Sequence, residues 1–405
     1  VRDAEALELD AEDELRDIRE RFYIADPGMI YLDGNSLGRM PKRTPEVVRD
    51  LLERQWGTDL VGSWKHWFEL PQRLGAKIAQ LIGAGADEVV VCDSTSVNLY
   101  KLTVAALRLQ APRTTIVTDA ANFPSDLYIT SGIEGASVRI VPEDQDIAES
   151  LTADTALLSL SHVLFKSGRL HDMEALTSAA HDSGAFALWD LSHSVGALPI
   201  DLNACGVDLA VGCSYKYISG GPGAPAFLYV RRDLQQRLAS PIQGWFGHRS
   251  AFDFDLDYAP AEGIPRFLAG TPAVLSMAAM EPALDLLLEA GMDRIRAKSL
   301  RQTDFLIAQF DKKLAPLGFK LVTPRDHARR GSHVAFAHPE AWRICQALIA
   351  ERNLVPDFRA PDVLRLGVTP LYTTFEEFAL AVNYIAQVVR ERRFENYSAT
   401  RLRVT

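Results

Sequence analysis

The chain has 405 residues, 47% of them apolar and 24% charged, which suits a soluble globular protein with a large core and more than one domain. Its 43 Lys and Arg against 53 Asp and Glu leave a formal charge of -10 with no sustained basic stripe, so neither nucleic acid nor an anionic membrane is an expected partner. Cys92, Cys205, Cys213 and Cys345 show no CxxC and no metal-ligand spacing; they read as reduced core thiols, with no metal site and a cytoplasmic location expected.

The opening VRDAEALELDAEDEL is acidic where an export signal would be basic, and no apolar run reaches the length of a membrane span. Leu7, Leu15, Ile18 and Phe22 among its acids predict a charged helix on the surface of something larger, ending at Asp26, Pro27 and Gly28. IYLDGNSLGRMP predicts a short strand and a loop of Gly34, Asn35, Ser36 and Gly38, suited to an ordinary turn or to close approach by a ligand or partner subunit. Residues 45–56 predict a helix. GSWKHWF then collects Trp64, Trp67 and Phe68, whose commoner use is packing and whose other use is an aromatic-walled pocket.

From Glu88 short apolar runs alternate with amphipathic stretches. Strands are predicted at EVVVCD, TTIVTD, 137–141, 155–160 and 186–191, and helices at 97–109, after Pro124 and at 173–183. That alternation implies an α/β fold with a mainly parallel sheet covered on both faces. Residues 244–277, dense in aromatics, Gly and Pro, predict a long ordered loop, uncommon unless it has a task. Helices at 276–290, 295–314, 342–352 and 374–392, with strands at 333–336 and in VLRLGV, predict a second, smaller α+β unit. The expected division is an N-terminal segment, 1–45, packing with the small domain, a large cofactor-binding domain, 46–280, and the small domain, 281–405.

The chain is organised around VDLAVGCSYKYISGGPGAPAFLYV, where Lys216 stands between two apolar strands and before a glycine-rich break. Burying an ammonium costs several kcal/mol unless it is paired or neutralised, so such a lysine is a solvated strand-end residue or a working amine. Upstream, the strand in FALWDLSHSVG ends at Asp190, with His193 three residues later. Strand-end residues of open parallel sheets sit where ligands bind. A lysine and a carboxylate on neighbouring strand ends are what pyridoxal phosphate requires, the amine for a Schiff base and the acid to keep the pyridine nitrogen protonated.

Other residues fit around that pair. DSTSVNLYKL places Thr95 and Ser96 at a helix start, where they either cap the helix or hold a phosphate. NFPSD offers Phe123 to stack on a pyridine face, or simply a helix entry, with Asp126 nearby. Tyr215 is a core phenol or a proton donor, and His193 a structural histidine or a cofactor contact. Arg365, inside an apolar strand, either pairs with an acid of the chain or holds the carboxylate of an amino-acid substrate.

Together WDLSHSVG, CSYKY with its glycine-rich follower, GWFGH, LDGNSLG, NFPSD and TPLY resemble the kynureninase family, in the class V branch of fold type I pyridoxal-phosphate enzymes, over nearly the whole chain. The combination of SYKY, GWFGH and TPLY is far more specific than the lysine and aspartate alone. The resemblance implies a seven-stranded-type sheet between helices plus a smaller α+β domain, pyridoxal 5'-phosphate as cofactor, and a homodimer with shared active sites. It implies hydrolytic Cβ-Cγ cleavage of L-kynurenine to anthranilate and L-alanine, with 3-hydroxykynurenine as the other candidate substrate. By it Lys216 carries the cofactor, Asp190 pairs with the pyridine nitrogen, His193 and Ser161 neighbour the ring oxygen, and Asp126 makes a further ring contact. Thr95 and Ser96 match the phosphate-binding helix start and Phe123 the stacking aromatic. Tyr215 matches a phosphate contact and proton donor, and Trp245 and Thr271 match phosphate ligands from the second subunit. Arg365 matches the holder of the substrate carboxylate, with Trp64 and Asn35 also on the substrate side. The segments at 131–137 and after Trp64 look shorter than the family usually has. The second borders the expected substrate pocket, and an aromatic Trp64 resembles the bacterial, kynurenine-preferring type. The rivals are a class V aminotransferase or cysteine desulfurase, and a non-catalytic fold relative. A desulfurase needs an exposed nucleophilic cysteine on a mobile loop, and none of the four suits. A non-catalytic relative is free to lose Lys216 or Asp190, and the chain keeps both.

Overall fold

The computed structural model describes residues 3–400; residues 1–2 and 401–405, the outer ends of the first and last expected domains, lie outside the described residues. The acidic opening is not the single helix predicted. Helix α1 (Ala4–Ala11) stops at Glu12, and a separate 3-10 turn covers Arg16–Arg21. At the break the Asp13 carboxylate accepts the Leu15 N–H at 3.0 Å and meets Lys298 at 2.6 Å, a side-chain-to-backbone bond that competes with helix continuation. Leu15 and Phe22 are buried in the core of the large sheet and anchor the segment there. Strand β1 (Ile30–Tyr31) pairs in parallel with Leu354–Val355. Helix α2 (Thr44–Asp50) does not end near 56 but widens into π-helical turns over Leu51–Asp59. There the hydroxyls of Thr58 and Ser63 donate to the carbonyls of Glu53 and Gln55. Helices α3 (Trp64–Trp67) and α4 (Leu70–Leu81) follow.

The middle of the chain builds a seven-stranded sheet from β2 (Val89–Val91), β3 (Thr115–Asp119), β4 (Ser137–Val141), β5 (Thr155–Ser161), β6 (Phe186–Asp190), β7 (Leu209–Gly212) and β8 (Phe227–Val230). Their order is β2-β8-β7-β6-β5-β3-β4, parallel except for β8, which runs against both neighbours. Helices α5 (Thr95–Gln110), α6 (Pro124–Ser131) and α7 (Met173–Asp182) connect the strands, and a short α8 (Arg232–Gln235) follows β8. The period of two is visible in the packing. Val90, Leu188, Leu209, Val211 and Leu228 meet Leu99, Leu102 and Ala106 of α5 on one face. Val89, Val91, Trp189, Ala210 and Phe227 meet α4 on the other. Burial on both faces is what a βα-alternating chain with near-continuous apolar strands requires.

After α8 the chain is irregular through residue 273, apart from two 3-10 turns, Trp245–Gly247 and Ile264–Phe267. Helix α9 (Val274–Ala290) lends Met277, Met280, Leu284 and Leu287 to the core of the large sheet. Then come α10 (Met292–Lys313), β9 (Lys320–Leu321), β10 (His333–Ala337), α11 (Ala341–Arg352), β11 (Leu354–Val355), β12 (Asp357–Arg359), β13 (Val363–Gly367) and α12 (Phe375–Arg390). Strands β12-β13-β10-β9 form an antiparallel sheet with its own core, which also takes in Ala6, Ile30 and Leu32 from the start of the chain. The Asp10 carboxylate accepts the Phe375 and Glu376 N–H groups at 2.8 and 2.9 Å, so a residue of α1 caps α12.

Candidate active site

All six parallel strands of the large sheet end on one edge, the carboxyl edge where such sheets bind ligands. Asp190, the last residue of β6, lies in register with Ser161 at the end of β5 and with Val211 in β7. Its carboxylate is buried, accepts the Ser192 N–H at 2.8 Å and is hydrogen-bonded to Asp126 from the first turn of α6. Burial raises the affinity of both carboxyls for a proton, and the neighbouring Asp190 charge raises that of Asp126 further. Asp126 is therefore the member on which a proton is favoured, from where it can donate a hydrogen bond to Asp190. Beside them the Ser161 hydroxyl donates to Asn122 Oδ1 at 2.6 Å.

Lys216 sits between β7 and β8 in a turn closed by Ser219 N–H to Lys216 O and Gly220 N–H to Ser214 O, both 2.8 Å. Its Nζ lies 3.4 Å from His193 Nδ1, 5.7 Å from the Phe123 ring centre and 5.9 Å from that of Tyr215. Burial, then the nearby Lys216 ammonium, push the His193 imidazole far below its usual range, so it is neutral and Nδ1 can accept from the lysine. Burial and Cys213 raise the Tyr215 phenol, which stays protonated and can only donate. Phe123 is partly exposed, with its ring edge-to-face on Phe165 at 5.2 Å.

Alongside lies a cavity of 440 Å³ whose walls include Ser94, Thr95, Ser96, Tyr215, Gly223 and Thr271. Ser94 caps α5 through the Val97 N–H at 3.3 Å, and the first turn of this 16-residue helix faces the cavity with its hydroxyls. Thr271 opens on it from the same chain as Thr95. Trp245 does not: its ring packs 4.9 Å from Phe246 and 6.4 Å from Trp64. Trp64 in turn lies 5.7 Å from Trp67. Both tryptophans belong to an aromatic cluster with Phe252 and Phe254, and neither is in ring contact with Lys216 of its own chain.

The small sheet turns a polar face toward this edge. The pairings Asp357 to Arg365, Ala335 to Arg365 and His333 to Gly367 put these residues on one side, while Val334, Phe336, Leu364 and Leu366 form the core on the other. Arg365 is fully buried. Its guanidinium binds Asp357 and the Phe165 carbonyl and reaches Ser36 Oγ at 3.4 Å. The chain thus already supplies one carboxylate to this arginine. Asn35 is fully buried, and a Cβ at Gly367 would overlap its Oδ1; neither amide atom has a protein partner. His333, which sequence reasoning passed over, is fully buried with both ring nitrogens unpartnered and its ring centre 6.1 Å from that of His193. The strand alternation of HVAFA, which sets it opposite Val334 and Phe336, was the signal available.

Residues 295–385 match the kynureninase C-terminal domain. A kynureninase of Pseudomonas fluorescens is 44% identical over 396 residues, 95% of each chain, and one of Burkholderia mallei is 43% identical over the same share. The chain belongs to the kynureninase family. Among solved structures it resembles an apo cysteine desulfurase of Thermococcus onnurineus, with TM-score 0.78, 20% identity and coverage of 93% of this chain and 98% of that one. It also resembles a cystine C-S lyase in complex with cysteine persulfide, with TM-score 0.78, 19% identity and coverage of 89% and 98%. At such identity these neighbours share the α/β fold with its mostly parallel sheet, and a kynureninase-family chain has no need of their sulfur chemistry. Cys92, Cys213 and Cys345 are buried here, and burial lifts the thiol pKa of the half-buried Cys205, so no cysteine has the exposed low-pKa character a persulfide carrier needs.

Proposed function

We propose that the protein is a pyridoxal-phosphate-dependent hydrolase that cleaves the Cβ-Cγ bond of L-kynurenine, giving anthranilate and L-alanine. The observation that carries this is 44% identity with a kynureninase over 95% of the chain, in a fold that sets Lys216, Asp190 and His193 on one sheet edge beside a cavity walled by Thr95 and Ser96. The donor set suits the cofactor. An amine, a buried carboxylate held by a second carboxyl, an aromatic face and a hydroxyl-lined helix start answer its aldehyde, ring nitrogen, ring and phosphate respectively.

Lys216 would hold the cofactor and Asp190 its ring nitrogen, with Thr95, Ser96 and Tyr215, joined by Trp245 and Thr271 of a second copy, at the phosphate and Phe123 against the ring. His193, Ser161 and Asp126 would line the ring's polar side. The bound cofactor supplies an electron sink for carbanions at the substrate's α and β carbons. Lys216, whose amine lies on this edge beside neutral His193, would take the substrate's α-proton as general base. Tyr215, whose phenol stays protonated, donates to Cβ as the bond to the aryl carbonyl opens. Arg365 and Asn35 orient the substrate's α-carboxylate from the small sheet. A water adds to the aryl ketone, and its oxygen leaves in the anthranilate carboxylate.

The partially exposed aromatic cluster supports a homodimer. Trp56, Val61, Phe254 and Leu256 are 55%, 79%, 73% and 99% exposed around Trp64 and Trp245, an apolar surface that a second copy would cover. In that arrangement Trp245 and Thr271 would reach the phosphate of the partner's site, with Trp64 on the substrate side. Incubation of the cofactor-loaded protein with L-kynurenine should release fluorescent anthranilate with equimolar alanine; loading without product from either kynurenine or 3-hydroxykynurenine would overturn the reaction while leaving the cofactor.

A further inference from the structure

His333 opens β10, is fully buried, and has no protein partner for either ring nitrogen. Buried polar atoms are nearly always paired, so this side chain calls for a physical reason. The Gly168 backbone packs against the ring, where a Cβ would come within 3.1 Å of His333 Nε2. His193 lies 6.1 Å away between ring centres, and its Nδ1 meets Lys216 Nζ at 3.4 Å. Across the sheet His333 stands opposite Gly367, two residues along β13 from Arg365 and on the same polar face. Asn35, whose amide is also unpartnered, covers Gly367 so closely that a Cβ there would overlap its Oδ1. Burial, then the charges of Arg365, Arg359 and Lys216, push the His333 imidazole far below its usual range. The ring is therefore neutral, with one nitrogen donating and the other accepting.

Arg365 by itself is an incomplete holder for a carboxylate. Of the five N–H groups of a guanidinium, four are engaged: two by Asp357, one by the Phe165 carbonyl and one by Ser36 Oγ. One N–H remains for a group with two oxygens. The charge is suitable, since Arg359 and Arg365 share the single carboxylate of Asp357 and burial favours Asp33 in its protonated form. Donors are what is short.

We propose that His333 is a further substrate-binding residue, whose imidazole N–H, beside the Asn35 amide, completes the site at which Arg365 holds the substrate's α-carboxylate. This rests on the reading of the protein as a hydrolase of kynurenine. The α-carboxylate then lies against the small sheet while the α-amine reaches Lys216 beside His193.

The test uses the cofactor-loaded protein. His333→Phe keeps a ring and removes both nitrogens; His333→Gln keeps an N–H donor. L-Alanine carries the α-amine and α-carboxylate of the substrate, and its binding is read from the absorbance of the bound cofactor, without turnover. Kynuramine, which is kynurenine without the α-carboxylate, is measured as an inhibitor. His333→Phe should raise the dissociation constant of L-alanine and the KM for kynurenine roughly ten- to a hundredfold, the effect of one hydrogen bond to a charged group. Its kcat and the inhibition constant of kynuramine should stay within about twofold, as for an interaction made equally before and during the reaction. His333→Gln should recover most of the loss, and a loss as large as that of His333→Phe counts against the donor. An unchanged constant for L-alanine overturns the proposal, and so does equal weakening of kynuramine, which marks a structural role. If His333→Phe does not fold, His333→Leu serves; it should show the same contrast, and no contrast overturns the proposal. Wild-type protein that carries the cofactor but neither binds L-alanine nor cleaves kynurenine would instead sink the reading of the reaction.

Discussion

Asp126, in the first turn of α6, and Asp190, at the end of β6, are hydrogen-bonded as a buried carboxyl pair, in which burial raises the proton affinity of both and the Asp190 charge raises that of Asp126 further. Their roles are therefore unequal. Asp190→Asn removes the charge that would hold the cofactor nitrogen protonated and should lower kcat on the order of a hundredfold or more. Asp126→Asn still offers an N–H to Asp190 and should cost less than about tenfold. Steady-state kinetics of the two loaded variants check this ranking, and equal losses would count against it.

Arg365 and Asp357 should act on binding more than on turnover. Arg365→Lys replaces a planar fork by a point charge, and its effect on the KM for kynurenine should be on the order of a hundredfold. A substrate analogue lacking the α-carboxylate should bind both proteins alike. Inhibition constants measured for analogues with and without that group separate this role from a merely structural one.

Asp33 links stability to pH. Burial, then the Asp357 charge, raise its carboxyl to about 7 from an ordinary 3.8. The fold therefore favours the protonated form. The stability this contributes is fully present below about pH 4 and is lost as pH rises through about 7. Asp33→Asn cannot ionise, so relative to wild type it should gain stability between pH 5 and 8, on the order of 2–4 kcal/mol. Urea unfolding of both proteins across that range tests the sign as well as the size.

Gly38 approaches the lysine turn so closely that a Cβ there would overlap the Lys216 carbonyl oxygen and Ser219 Oγ. Gly38→Ala must shift that turn, and small displacements of a reacting group are expensive: kcat should fall on the order of a hundredfold. Far-UV circular dichroism should stay unchanged, since the turn lies outside any strand or helix.

The large sheet was readable because its strands are continuous apolar runs set between amphipathic helices, and Asp190 and Lys216 stand out as charges that interrupt them. Thr95 and Ser96 were readable for a similar reason, as a polar start to a helix after a strand. The partner of Arg365 was not. Asp357 lies in β12, only three residues long, where no periodicity can accumulate, and the pairing spans a sheet whose register the sequence leaves open. Lys101 was passed over because a lone buried Lys in a helix has no local pattern, and His333 because the alternation of HVAFA marks its face but not what surrounds it; only the packing reveals their surroundings. The break after α1 and the π-turns after α2 depend on single bonds made by Asp13, Thr58 and Ser63, which helix propensity does not weigh.

The assignment of Lys216 is tested most directly by reducing the pyridoxal-phosphate-loaded protein with borohydride and locating the modified residue by peptide mass. The pyridoxyl group should be found on Lys216 alone, and Lys216→Ala should neither trap it nor release anthranilate from kynurenine at a measurable rate. Modification of another lysine, Lys101 included, or undiminished turnover by Lys216→Ala, would contradict the site described.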